Sequence, residues 1–130
     1  MIQTIRINDR RRYQRLALNV SVHYRVKNPW YVRIQYGDHV TEAVTLNLSE
    51  GGMALLTTQG IPAHTSLDIS FTLFKVDRHG EVNFFTPVEI EGEVRSTAIH
   101  DSDQYRLSIC FVKKNSQTKN RITDFIKLAS

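Results

Sequence analysis

The stretch LALNVSVHYRV, Leu16 to Val26, decides the fold. Leu16, Leu18, Val20, Val22, Tyr24 and Val26 take every second position, with Ala17, Asn19, Ser21, His23 and Arg25 between them. Successive side chains of a strand point to opposite faces, so this period gives one dry face and one wet face. The pattern recurs along the chain. Val44, Leu46 and Leu48 oppose Thr45, Asn47 and Ser49, and MALLT follows Gly51-Gly52 as a short strand. Leu67, Ile69, Phe71 and Leu73 alternate with Asp68, Ser70 and Thr72. Val88, Ile90 and Val94 alternate with Glu89, Glu91, Glu93 and Arg95, and Gly92 in that row marks a bulge or a close approach. Tyr105, Leu107, Ile109 and Phe111 form the last alternating row.

Between these rows lie turn signals. TQGIPAHT, VDRHGEVN and IHDSDQ are rich in Gly, Pro, Asp and Ser. NPWYVRIQYGD reads as a turn, an aromatic strand from Trp30 to Tyr36 and a second turn, which fits an extra hairpin packed on the core better than a ligand contact, with an added contact surface as the other option. The period changes only at the C-terminus. In NSQTKNRITDFIKLAS, Thr118, Ile122, Phe125, Ile126 and Ala129 share one helical face, opposite Lys119, Arg121, Asp124 and Lys127, with Asn115 or Ser116 as N-cap. Half-wet strands share a core and lose their edges when the sheet closes. The expected fold is therefore an all-β-dominated antiparallel barrel of six or seven strands with a C-terminal α-helix at about 115–128.

A chain of 130 residues, 41% hydrophobic and 23% charged, suits one globular domain. It holds no apolar run of membrane-spanning length, and its start, MIQTIRINDRRR, lacks the apolar core of a secretory signal. A lone cysteine, Cys110, makes no internal disulfide. The expectation is a cytoplasmic protein without membrane insertion. Its charge is concentrated at one end. Arg6, Arg10, Arg11, Arg12 and Arg15 against Asp9 give residues 1–15 the whole net +4, and the remaining 12 Lys+Arg balance 12 Asp+Glu. That places a basic segment, expected to be flexible, ahead of a neutral barrel at 16–130, and favours one anionic partner met at one place.

A second feature matches it. In NLSEGG, residues 47–52, Asn47 and Ser49 lie two apart in a strand and share its outer face. Gly51 and Gly52 then let the backbone turn sharply or approach a flat ligand. Taken alone, the stretch reads as a Ser-type turn closing a hairpin. Taken with the arginines, it suits a guanine nucleotide. A guanidinium pairs with O6 and N7 of guanine or clamps phosphate, and an amide or hydroxyl serves another base edge.

The pair RRYQR, with Arg11 and Arg15 four apart, and NLSEGG, an Asn-x-Ser-x-x-Gly of Asn47, Ser49 and Gly52, resembles the signature of the PilZ domain family, bacterial receptors for cyclic di-GMP. The resemblance runs from about Asp9 to the end and includes a six-stranded barrel with a C-terminal helix. It implies that Arg11 and Arg15 hold guanine and phosphate and fold the N-terminal segment over the ligand. It implies that Asn47 and Ser49 bind a guanine edge and that Gly52 keeps the corner open. Arg10 and Arg12 are additional candidates, Arg10 through its bearing on whether one ligand or a stacked pair binds. Asn47 stands where Asp is common, and gives up a carboxylate acceptor. The aromatic stretch from Lys27 to Thr41 is long for the family.

The expected function is a stand-alone cyclic di-GMP receptor without enzymatic activity, cofactor or metal, acting through an unidentified protein partner. Two alternatives stay open: a PilZ-like adaptor that binds protein through Trp30 and Tyr36 without ligand, and a small barrel gripping nucleic acid with its basic arm. The confinement of positive charge to one end argues against nucleic acid. A homodimer is compatible with the sequence. His23, His39, His64, His79 and His100 are too scattered for metal-ligand spacing. The row Glu89, Glu91 and Glu93 reads as a solvated face, and Ser49 lacks the frame of a nucleophile elbow.

Overall fold

The computed structural model describes residues 2–6, 15–112 and 116–129. Its elements are β1 (Ile2–Arg6), β2 (Arg15–Asn28), α1 (Trp30–Tyr36), β3 (Thr41–Leu48), β4 (Gly52–Thr57), β5 (Ser66–Val76), β6 (Val82–Asp101), β7 (Gln104–Val112) and α2 (Ser116–Ala129). The strands run antiparallel in the order β1-β2-β3-β4-β7-β6-β5, and β5 returns to pair with β2. Six strands thus close a barrel, and β1 lies outside the ring on β2. Within the segment expected as a flexible arm, Ile2–Arg6 is a strand, with Arg6 opposite Arg15. Arg10, Arg11, Arg12 and the proposed cap Asn115 lie outside the described residues.

The strand β2 closes the ring because it is long enough to serve two neighbours on one edge. Its start pairs with β1 and its second half, from Val22 to Asn28, with β5, and its other edge takes β3. Val22, Tyr24 and Val26 point inward, as their alternation requires, while Ser21, His23 and Arg25 are exposed. Leu67, Ile69, Phe71 and Leu73 from β5, Val88, Ile90 and Val94 from β6, and Leu107, Ile109 and Phe111 from β7 complete the lining. Ile122, Phe125 and Ile126 of α2 join the same core, with the Phe125 ring 5.6 Å from that of Phe84. Gly92 is a close approach: a β-carbon there would sit 2.5 Å from Ile109 Cγ2.

Two expectations are corrected. The stretch from Trp30 to Tyr36 is a helix, not a strand. Val32 and Tyr36, four apart, turn toward the core, and Tyr36 donates to Gly60 O at 3.0 Å. Pro29 supplies the carbonyl that Val32 N and Arg33 N both reach at 3.1 Å. The apparent alternation of Val32 and Ile34 misled because Ile34 is 71% exposed. In β3 the inward residues are Ala43, Thr45 and Leu48, while Val44 and Leu46 are only partly buried. The register with β4 shifts between Thr45 and Asn47, which makes Leu46 the extra residue of a bulge and flips the face on either side of it.

Polar groups in this core have unequal standing. Tyr24 is fully buried, and its hydroxyl donates to Gln59 Oε1 at 2.7 Å and meets Thr57 Oγ1 at 2.8 Å. Burial pushes its phenol above the ordinary tyrosine range. The buried Thr45 hydroxyl has no hydrogen-bond partner among the described residues. Urea unfolding should therefore separate two near-isosteric changes. Tyr24→Phe should lower stability by about 1–2 kcal/mol, because it strands Thr57 and Gln59. Thr45→Val should raise stability by roughly 1 kcal/mol by removing an unpaired buried group. A loss of stability in Thr45→Val would show that its hydroxyl is bonded.

Candidate functional site

The β2–β3 register carries the site. Leu16 faces Leu48 and Ala17 faces Asn47, so Arg15, the first residue of β2, comes next to the pair at the end of β3. Residues more than thirty positions apart in the chain become lateral neighbours in the sheet, at the corner where β3 turns into β4. Asn47 also faces Ala54 on β4, Ala54 faces Ser108 on β7, and Ser108 faces Ser96 on β6. This row of short side chains makes a flat outer wall. The inward row beside it is apolar, from Leu48 through Met53 and Ile109 to Val94.

The corner itself is a closed turn. Ser49 N donates to Gly52 O at 2.9 Å. Ser49 Oγ accepts from Gly51 N and Gly52 N, both at 3.2 Å, and lies 3.3 Å from Gly52 O. Gly51 O accepts from Phe111 N at 2.9 Å, which ties the turn to β7. The Ser49 hydroxyl is thus committed to the backbone, and the residue is 7% exposed. Gly52 is required by packing, since a β-carbon there would strike Ile109 O on the neighbouring strand. The turn-closing reading of NLSEGG is observed directly.

A cleft of about 340 Å³ opens over this wall, lined by Asn47, Ser49, Gly51 and Gly52 on one rim, by Ala54, Ser108 and Cys110 on its floor, and by Arg95. Its size lies within the range of small-molecule clefts. Arg95 was absent from the sequence-level candidates because it continued the charged row of Glu89, Glu91 and Glu93. The structure makes it the extra residue of a β6 bulge: the register shifts between Val94 and Ser96, and Arg95 lines the cleft. A bulge re-aims a side chain, and bulges concentrate beside functional sites.

Two larger concavities, of about 430 and 500 Å³, lie on the opposite wall over β2, β5 and β6. The first carries Asp68, Glu89 and Glu91 against Arg25. One of these charges is matched in place, Lys27 Nζ to Glu91 Oε1 at 2.8 Å. The Lys27 ammonium is held above its ordinary pKa by the hydrogen bond to Glu91. The first concavity holds more acid than base and the second holds Glu89, whereas the smaller cleft is lined by Arg95, so it suits an anion better. Among the described residues no group of three or more His, Cys, Asp or Glu could hold a metal ion, and no helix is long and apolar enough to cross a membrane.

Because Gly52 packs under the β7 backbone, Gly52→Ala should cost roughly 1–3 kcal/mol in chemical denaturation, the range of core overpacking. An unchanged midpoint would mean that the corner relaxes freely.

The PilZ domain family model matches residues 9–128. No curated protein matches the chain by sequence. Among solved structures, the Bacillus subtilis inhibitor of motility, MotI, has a TM-score of 0.69 at 16% identity, covering 93% of this chain and 51% of that one. The PilZ domain of Escherichia coli YcgR, solved with c-di-GMP, has a TM-score of 0.63 at 15% identity, covering 93% and 92%. The Klebsiella pneumoniae MrkH–c-di-GMP complex has a TM-score of 0.61 at 16% identity, covering 93% and 52%. The chain spans about half the length of MotI and MrkH. At these identities the likeness to solved structures is one of fold, and it agrees with the family match. With its closed barrel, its C-terminal helix and both motifs in order, this chain belongs to the PilZ domain family.

Proposed function

We propose that the chain is a receptor for cyclic di-GMP and that the ligand lies on the outer wall between Arg15 and the Asn47–Gly52 corner. One observation supports the reading: the β2–β3 register sets Leu16 and Ala17 opposite Leu48 and Asn47, so the strand that follows the arginine motif starts beside the NLSEGG corner. Two PilZ proteins of the same fold, YcgR and MrkH, were solved with c-di-GMP. The chemistry fits a flat dianion. Ala54 and Ser108 form a level floor for a purine, Asn47 offers an amide to its edge, and Arg95, 3.5 Å from Glu93 Oε1, supplies a cation. Arg10, Arg11 and Arg15 neutralise the phosphates and pair with guanine, with Arg12 as a further contact. Ser49 and Gly52 keep the turn in shape, and Gly51 lines its rim.

In this mechanism the ligand gathers arginines that otherwise repel one another, and the segment before β2 closes over the wall. The surface offered to a protein partner changes with it. No bond is made or broken, so the role is binding and not catalysis. A second reading, an adaptor that works by protein contact alone, is favoured by the outer face of α1, where Trp30 and Tyr31 are 66% and 61% exposed beside Ile34. Exposed aromatic side chains of this kind suit a protein interface.

Calorimetric titration with cyclic di-GMP separates the two, with GMP and a single-stranded oligonucleotide as controls. Saturable heat with the cyclic dinucleotide alone is the expected outcome. No heat leaves the adaptor reading, and equal, salt-sensitive binding of the oligonucleotide points to a basic-arm contact. Arg15→Ala should weaken binding by about 1–3 kcal/mol, the scale of a bidentate guanine contact, with the barrel still folded. Arg95→Ala should weaken it by roughly 1 kcal/mol or more, as loss of a charge-assisted contact does. Full affinity in Arg95→Ala would remove that residue from the site.

A further inference from the structure

The turn that forms the cleft rim also holds the C-terminal helix. Glu50 sits at a variable position of NLSEGG, between the two residues that face the cleft, Ser49 and Gly51. Its carboxylate reaches α2. Oε1 lies 3.1 Å from Lys119 Nζ, and Oε2 accepts from Thr123 Oγ1 at 3.2 Å. Lys119 and Thr123 are four apart, so they stand one above the other on one helix face. The two oxygens of a single carboxylate therefore span one turn of α2. The Glu50 side chain is 22% exposed, which limits the screening of this contact by water.

Other attachments of α2 lie elsewhere. Ile122, Phe125 and Ile126 pack into the core beside Phe84 of β6, Lys75 of β5 donates to Leu128 O, and Arg121 reaches Pro87 O at 3.5 Å. These fix the helix to the β5–β6 side. Glu50 ties it to the β3–β4 corner. That corner is stiff, because Ser49 closes it and Phe111 N pins Gly51 O. A stiff turn with a ligand rim on one flank and a helix tether at its tip transmits a small displacement instead of absorbing it.

We infer that Glu50 is a positioning residue that couples occupancy of the cleft to the placement of α2, making the C-terminal helix an output element of the domain. The inference rests on the reading of this corner as a cyclic di-GMP site. By linkage the coupling is reciprocal: whatever holds α2 in its tethered position raises affinity at the cleft by the same factor.

Amide hydrogen exchange of the full chain tests it, read over Ser116–Ala129 with and without saturating cyclic di-GMP, alongside calorimetry on the same samples. In the unsubstituted protein the ligand should slow exchange in α2 by about 5-fold or more, the lower end of inter-site coupling. Glu50→Gln should still bind the ligand, but its α2 should exchange at the same rate with and without it. Thr123→Val, which removes the donor from the helix side, should reduce the effect in the same direction. A purely structural tether would lower α2 protection equally in both states and leave the ligand effect intact, and that result overturns the coupling. Binding with no change in α2 of the unsubstituted protein also overturns it, while the ligand reading stands. Absence of binding overturns the ligand reading, and the coupling with it.

Discussion

The fold depends on the pairing of one strand with neighbours on both edges. β2 meets β3 along one side, and on the other it meets first β1 and then β5. Without the β2–β5 contact the six strands would form an open sheet, and two rows of backbone donors and acceptors would be left exposed. With it, the inward rows of every strand converge on one core, and α2 can add Ile122, Phe125 and Ile126 to that core. The same strand fixes the site. A ring of this kind leaves β2 no freedom to slide, because a slip of one residue would turn Val22, Tyr24 and Val26 outward. The core thus fixes the β2–β3 register from Val20 to Tyr24, and the register shifts once, between Ala17 and Val20, before β2 reaches the NLSEGG corner.

Irregularities in the ladder do the fine positioning. The bulge at Leu46 lets Leu48 return to the core while Asn47 stays on the outer wall. The bulge at Arg95 sets a cation at the cleft, next to the row of Ala54 and Ser108. Gly52 lets β4 lie against β7 closely enough for the corner to seat under the Ile109 carbonyl. Two register shifts, at Leu46 and Arg95, adjoin or line the cleft, whereas the inward rows of β5 and β7 alternate without interruption. Regular pairing builds the barrel, and these two exceptions shape the wall at the cleft.

Much of this was legible in the chain. The alternating rows of β2, β5, β6 and β7 and the helical face of α2 could be read directly, because each repeats its period over enough residues to exclude the other. The stretch from Trp30 to Tyr36 could not, since in seven residues Val32 and Ile34 mimic a strand while Val32 and Tyr36 fit a helix equally well. The inward face of β3 was misread because a single inserted residue reverses every assignment beyond it. Arg95 was taken for part of a solvated acidic row, and Glu50 for a turn residue, because the partners that give them meaning are distant in sequence.

The sequence by itself determined the strand-rich class, the closing helix, the concentration of positive charge in residues 1–15 and the order of the two motifs. These are local or compositional properties, written in periods of two and 3.6 and in residue type. Only the tertiary structure decided which face of β3 is buried, that α1 is a helix, where the bulges fall and which way Arg95 and Glu50 point. Those outcomes depend on pairing between strands far apart in the chain, and a register is a property of two strands together that neither carries alone.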